Sequence, residues 1–265
     1  MHIEAIGYSA IAPGAAGAAA SAVTGDSLTI LNDTTRHANI IDWRAKNQAV
    51  GFHRVIFPTA HDTTKNMTSP VTVSNMDPLE PWGLALQPTR QELLSITIAG
   101  SAVAGDVESG WFNILYPDVP GLSGRYIDWG RVLQSAEKEM TIFATLNGSA
   151  AGWSGTELIT SDSDLMQADR DYACLGMRVS TDIAAVALRG PDNASRRIAC
   201  PGQSTKSFEG QNYFANLSRA YRLPMIPVVA SGNKSNTFIE MLCDENTPVV
   251  NVALYMVLLA PGWKK

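Results

Sequence analysis

Four histidines, His2, His37, His53 and His61, could in principle bind a metal or carry a proton, and all lie in the first quarter of the chain. A metal site on a β-barrel wall would need two histidines one residue apart and a carboxylate on a neighbouring strand, and no such pattern occurs. His53 and His61 flank the end of a strand candidate, which reads as one strand histidine and one loop histidine. Gly7-Tyr8-Ser9 and Gly152-Trp153-Ser154-Gly155 approach a Gly-x-Ser-x-Gly elbow but miss its spacing. Gly14 and Gly17 sit in an alanine tract with no preceding strand, so they do not form a phosphate-binding loop. Asp162, Asp164, Asp169 and Asp171 cluster like a calcium loop without its glycine and terminal glutamate. Asp106 with Glu108, and Asp244 with Glu245, fall in turns. The sequence therefore assigns no catalytic residue, no cofactor site and no metal ligand, and the expectation is a protein that is not an enzyme.

The six tryptophans offer a different chemistry. Trp82, Trp111 and Trp129 sit in core-like patterns. Trp153 and Trp263 have loop-like or terminal settings. A ring at Trp153 could stack on a sugar, but large aromatics serve more often as anchors between subunits.

Composition sets the frame for these residues. The chain has 265 residues, 45% of them hydrophobic and 17% charged, which suits a folded domain or two with a real core. Its 21 glycines and 14 prolines fall largely between short apolar runs and so favour strands joined by turns. The net charge of −5 and scattered basic residues argue against strong direct nucleic-acid binding. Cys174, Cys200 and Cys243 are odd in number and widely spaced, so they read as buried thiols outside any disulfide, made in a reducing cytoplasm.

The strongest organising signal occurs twice. Glu92–Gly121 and Lys234–Gly262 each read as an apolar strand, an acidic turn, a second apolar strand and a closing Pro-Gly. They predict the closing hairpins of two tandem β-units. The second strand of each pair, Trp111–Tyr116 and Val249–Leu259, is apolar on both faces, so one face of each should be covered by another unit or subunit. Further strands are expected at Ser27–Leu31, Val50–Phe57, Pro70–Ser74, Trp82–Leu86, Leu93–Ala99, Met140–Leu146, Tyr172–Ser180, Ile183–Arg189, Arg197–Cys200, Met225–Ala230 and Thr237–Cys243. A helix capped by Asp128 is expected over Asp128–Met140, and another over Phe208–Tyr221. Thr89-Arg90-Gln91-Glu92 has a capping-box pattern, and Asn147–Gly155 reads as a loop. The resulting organisation is a flexible arm over 1–26, a first unit over 27–124, and a connector helix with a second unit over 125–265. The fold class is all-β, two tandem antiparallel jelly-roll β-sandwiches with a few short helices.

The second half also resembles a known family. Asp171-Tyr172-Ala173-Cys174-Leu175-Gly176 leads to Arg189-Gly190-Pro191-Asp192 and then to Arg197-Ile198-Ala199-Cys200-Pro201-Gly202, with Leu115-Tyr116-Pro117-Asp118-Val119-Pro120-Gly121 upstream. Together these resemble the double jelly-roll major capsid proteins of tailless icosahedral, lipid-containing bacteriophages, of the Flavobacterium lipid-containing phage type. The resemblance covers roughly residues 80–262. It implies a homotrimer shaped as a pseudo-hexamer, tiling an icosahedral shell in the virion. The partners it implies are further copies of the chain, vertex or penton proteins and an internal membrane, with no cofactor. A jelly-roll carbohydrate- or receptor-binding fibre protein and a β-sandwich hydrolase are the alternatives from other classes.

Overall fold

A computed structural model describes residues 1–11, 23–25, 38–47, 51–56, 62–67, 71–74, 84–86, 107–116, 124–148, 152–159, 165–202, 204, 207–243 and 249–264. Among the described residues, eight strands precede residue 124: β1 (His2–Ile11), β2 (Val23–Gly25), β3 (Ala38–Asn47), β4 (Gly51–Ile56), β5 (Asp62–Met67), β6 (Val71–Ser74), β7 (Leu84–Leu86) and β8 (Val107–Tyr116). After it come β9 (Tyr126–Ile127), α1 (Trp129–Ser135), β10 (Ala136–Asn147), β11 (Gly152–Leu158), β12 (Asp171–Val179), β13 (Ala185–Arg189) and β14 (Arg197–Pro201). The chain continues through α2 (Ser207–Gln211), α3 (Tyr213–Tyr221), β15 (Ile226–Ala230), β16 (Phe238–Cys243) and β17 (Val249–Leu259).

The second unit is a jelly roll by its strand order alone. From β10 onward, eight strands form two antiparallel sheets, β10-β17-β12-β15 and β11-β16-β13-β14. In each sheet the strands alternate between early and late in the chain, as in a folded-over double Greek key. β9 adds to the outer edge of β15. On β10 and β17 one residue in two points inward: Ile142, Ala144 and Leu146 on one, Val250, Val252, Leu254 and Met256 on the other. The apolar interior between the sheets follows from that period of two.

The first unit repeats the larger sheet. β1-β8-β3 pair antiparallel as β10-β17-β12 do, and β7 pairs the start of β3 as β15 pairs the start of β12. The irregularities coincide. β3 is bulged between Ile40 and Asp42, opposite Ile114 and Asn113, and β12 between Cys174 and Gly176, opposite Met256 and Tyr255. The β4–β5 hairpin holds the chain position that β13–β14 holds in the second unit. β2 differs, pairing β1 among the described residues. The fold is thus all-β and antiparallel, in two jelly-roll units with short helices.

Several expectations are corrected. The start of the proposed arm is a strand: residues 2–11 form β1, paired along its whole length with β8, and residues 23–25 form β2. The two closing strands of the second unit are not a hairpin. β16 pairs β11 and β13 while β17 pairs β10 and β12, so the chain crosses from one sheet to the other between them. The helix begins as expected, with the Asp128 carboxylate accepting from Arg131 N at 2.9 Å, but it ends at Ser135. From Ala136 onward, pairing with β17 claims the backbone. The second helix is broken into α2 and α3 at Asn212. β11 starts inside the expected loop, with Gly155 at φ 63° in its bulge. β3 and β5 were not anticipated. Ser27–Leu31, Leu93–Ala99 and the capping box at Thr89 lie outside the described residues.

Candidate functional site

The most elaborate chemistry in the described residues lies where the two units meet. One face of the first unit's β1-β8-β3 sheet lies against the β11-β16-β13-β14 sheet and helix α3 of the second. On β8 both faces are buried. Phe112, Ile114 and Tyr116 belong to one side, while Ser109, Trp111 and Asn113 reach the second unit. Ser109 Oγ donates to the Cys243 carbonyl at 3.1 Å, and Trp111 Nε1 to the Ala184 carbonyl at 2.9 Å. Asn113 Nδ2 donates to the Ala199 carbonyl at 3.3 Å and to Tyr213 Oη at 2.9 Å. Trp111 and Ala5 thereby join the second unit's apolar core. On β1, Gly7 is needed because a Cβ there would stand 2.6 Å from Trp153 Nε1.

A buried polar network crosses the same boundary. Asp42, on the bulge of β3, accepts from Arg44 Nε at 2.7 Å and from Tyr213 Oη at 2.6 Å. Arg44 also reaches Glu209 at 2.5 Å, with its guanidinium 5.5 Å from the Tyr213 ring centre. Burial alone would lower the Arg44 pKa, but the Asp42 carboxylate leads the neighbours that raise it, so the charge is held. Burial, followed by Asp42, pushes the Tyr213 hydroxyl well above its ordinary value, so it stays protonated and donates. Tyr221 Oη donates to the Ile41 carbonyl at 2.9 Å. Two helices of the second unit therefore hold the bulged strand of the first.

A second ionic cluster joins β13, β14 and β16. Glu240, 3% exposed, receives Arg189 at 2.7 Å and Arg197 at 2.6 Å. Arg197 also lies 4.8 Å from the Trp153 ring centre. Trp153 is thus enclosed between Gly7 and a guanidinium, which makes it a contact between units rather than a platform for a sugar. Arg196 pairs with Glu4 across the boundary at 3.0 Å. The guanidinium and hydroxyl donors are met by carboxylate and carbonyl acceptors, an arrangement suited to fixing two bodies in register.

The residues first weighed for chemistry scatter. His53 lies on the β4–β5 hairpin opposite Lys65, and His37, His61, Asp162 and Asp164 are outside the described residues. Asp171 pairs with Arg125 and accepts from Trp263 Nε1 at 2.8 Å. No group of three or more histidine, cysteine or acidic side chains suited to a metal occurs among the described residues. The three cysteines are buried and outside any disulfide, and burial pushes the Cys174 thiol up to about 12.

His2 is the exception worth measuring. It is fully buried, stacks on Tyr116 at 6.2 Å, and neither ring nitrogen has a hydrogen-bond partner among the described residues. Burial, aided by Arg196, lowers its pKa to about 4 from 6.5. Between those values the unfolded chain binds a proton that the folded one does not, so stability falls as pH falls from 6.5 toward 4. The expected loss across that window is about 3 kcal/mol at most. Urea unfolding of wild type and His2→Leu at several pH values isolates the term; equal slopes for the two proteins would refute it.

Two like β-sandwich units joined by a buried, part-ionic contact define a duplicated jelly-roll protein. No family model and no curated protein matches the sequence. Among solved structures, the chain is similar to the major capsid protein P2 of bacteriophage PM2, at 11% identity over 98% of this chain and 99% of that one, with a TM-score of 0.26. It is similar to the STIV MCP at 8% identity over 100% and 98%, TM-score 0.24. A chain from the atomic structure of Sulfolobus Turreted Icosahedral Virus matches at 8% identity over 98% and 80%, TM-score 0.23. Strand order and register carry the fold, and these superpositions add nothing to it.

Proposed function

We propose that this chain is a major capsid protein, a non-enzymatic coat subunit whose trimers form pseudo-hexamers that tile an icosahedral shell. The observation that carries the reading is the contact between the units. Two like units are joined by unlike faces, and a head-to-tail contact of that kind builds rings or lattices rather than two-fold pairs. Three copies of a two-unit chain place six like units around one axis. The ion pairs Arg44–Glu209 and Arg196–Glu4 and the Tyr213–Asp42 hydrogen bond, which cross the boundary, fix the angle between the units of each chain, as a tile needs. The sequence phrases quoted above agree with this reading.

The first unit is then taken to run to about residue 124 and the second over 125–265. The partners are the chain's own copies, vertex or penton proteins, and a membrane vesicle where the virion contains one. The protein is made in the host cytoplasm and resides in the virion. The test is light scattering after size exclusion, with electron microscopy of the same sample. Trimers or shells are expected, and a strictly monomeric chain would overturn the proposal.

A further inference from the structure

At the start of β1 three contacts hold the first unit to the second. The Ile3 amide donates to Tyr126 Oη at 3.0 Å, and that hydroxyl donates back to the Ile3 carbonyl at 3.3 Å, so a side chain from β9 stands where a neighbouring strand would. The Ile3 side chain is fully buried in a small apolar cluster with Met225, beside Leu217 and Tyr221 of α3. One residue on, Glu4 pairs with Arg196 at 3.0 Å. Further along, β1 is fixed in other ways: it pairs with β8 through to Ile11, Tyr8 to Ala10 pair with β2, and Gly7 lies against Trp153.

His2 precedes these contacts, with its ring buried and both nitrogens lacking a hydrogen-bond partner among the described residues. From β8 it meets Tyr116, and from the turn between β13 and β14 it meets the charge of Arg196. On its own strand it is faced by the chain's amino group at Met1 and by Glu4, two residues on and therefore on the same side of β1. A neutral imidazole is tolerated in such a place. An imidazolium would add a further positive charge beside Arg196, with two N–H donors and nothing to receive them. Glu4 could receive one only by giving up Arg196, and the ring could otherwise find acceptors only in water. Ile3 lies between His2 and Glu4 in the chain, so either shift carries it off Tyr126.

We propose that His2 is an acid-operated release on the contact between the two units: a proton taken up by its ring detaches the start of β1 from Tyr126 and Arg196, while the rest of β1 stays paired with β8. The opening is local, because the pairing with β8 and β2 beyond Ile3 holds the remainder of the strand. The contacts centred on Asp42 and Trp111 contain no histidine and keep the units together at their other end. Acid therefore loosens one side of the boundary and leaves the other closed. The release belongs to the single chain, whether or not copies assemble. Its range follows from the ring: burial first, then Arg196, hold its pKa at about 4 in the closed state against 6.5 when free, so the open state gains the proton as pH falls below 6.5.

The test is hydrogen exchange at the Ile3 amide, followed by NMR at pH 7 and pH 5 and divided by the intrinsic exchange rate at each pH. Carboxylates of ordinary pKa stay largely ionised over that interval, so the histidine is read by itself. In the wild-type chain the opening at Ile3 is expected to rise about twentyfold from pH 7 to pH 5, with the amides of β16 unchanged. His2→Leu, which fills the site with an apolar side chain, is expected to abolish the rise. Tyr126→Phe removes the clamp and keeps the trigger, so it should open Ile3 further at both pH values and retain the pH response. The proposal is overturned if Ile3 opens no more at pH 5 than at pH 7, if β16 opens along with it, or if the leucine variant responds as the wild type does. The wild-type comparison of Ile3 with β16 decides on its own should a variant fail to fold.

Discussion

Replacing Asp42 with alanine is expected to cost about 3–5 kcal/mol of folding stability, the range for breaking one partner out of a buried ion pair. Asp42 is 4% exposed and takes charge-assisted bonds from Arg44 and from the Tyr213 hydroxyl. Without it the buried guanidinium keeps Glu209, itself at the edge of solvent, and the hydroxyl loses its acceptor. The penalty is mostly that of stranded groups rather than the net worth of the pair. Asp42→Asn retains an acceptor for Tyr213 and should lose less. Thermal melts check both: for a chain this long each kcal/mol moves the midpoint by roughly 2–4 °C. An alanine variant within about 1 kcal/mol of wild type would mean that the network is not holding the units. Because Asp42 and Tyr213 lie 171 residues apart, the loss should also uncouple the units, appearing as a second unfolding transition.

Trp111→Ala should cost a similar amount, about 3–5 kcal/mol, by a different route. The ring is fully buried and belongs to the apolar core of the second unit although its backbone lies in the first. It meets Tyr213 edge-on at 6.0 Å and satisfies the Ala184 carbonyl. Truncation leaves a cavity and an orphaned acceptor at the same place. Trp111→Phe separates the two terms, since it keeps much of the volume and loses only the donor; its expected cost is about 1–3 kcal/mol. Denaturant midpoints measured for all three proteins would show the order, and a phenylalanine variant as damaged as the alanine one would contradict it.

The sequence made some elements plain and hid others for identifiable reasons. β17 was legible end to end because Val249–Leu259 is an apolar run interrupted only by Asn251. α1 announced itself through the Asp128 cap, but its end did not, because the alternation of Met140, Ile142, Ala144 and Leu146 begins after the strand does. β1 was mistaken for an arm. Residues such as Ala5 and Gly7 look like filler, yet small size is what lets the second unit approach the sheet closely. β3 was missed because Asp42 and Arg44 look like a surface segment, and only their pairing with each other and with Tyr213 and Glu209 across the boundary allows them inside. The paired closing strands suggested duplication correctly and, in the second unit, pairing wrongly, since period and composition do not say which sheet a strand enters.

What the sequence determined by itself is local and periodic: strands that alternate, a capped helix, thiols with nowhere polar to go, and two runs apolar on both faces that had to be covered. Which body covers the Trp111–Tyr116 run was decided only by the tertiary structure. Trp111 meets a carbonyl 73 residues away and Asp42 a hydroxyl 171 residues away. No propensity encodes such distances. They are fixed when two folded sheets with matching relief and opposite charges come together, and the chemistry of this protein lies in that meeting.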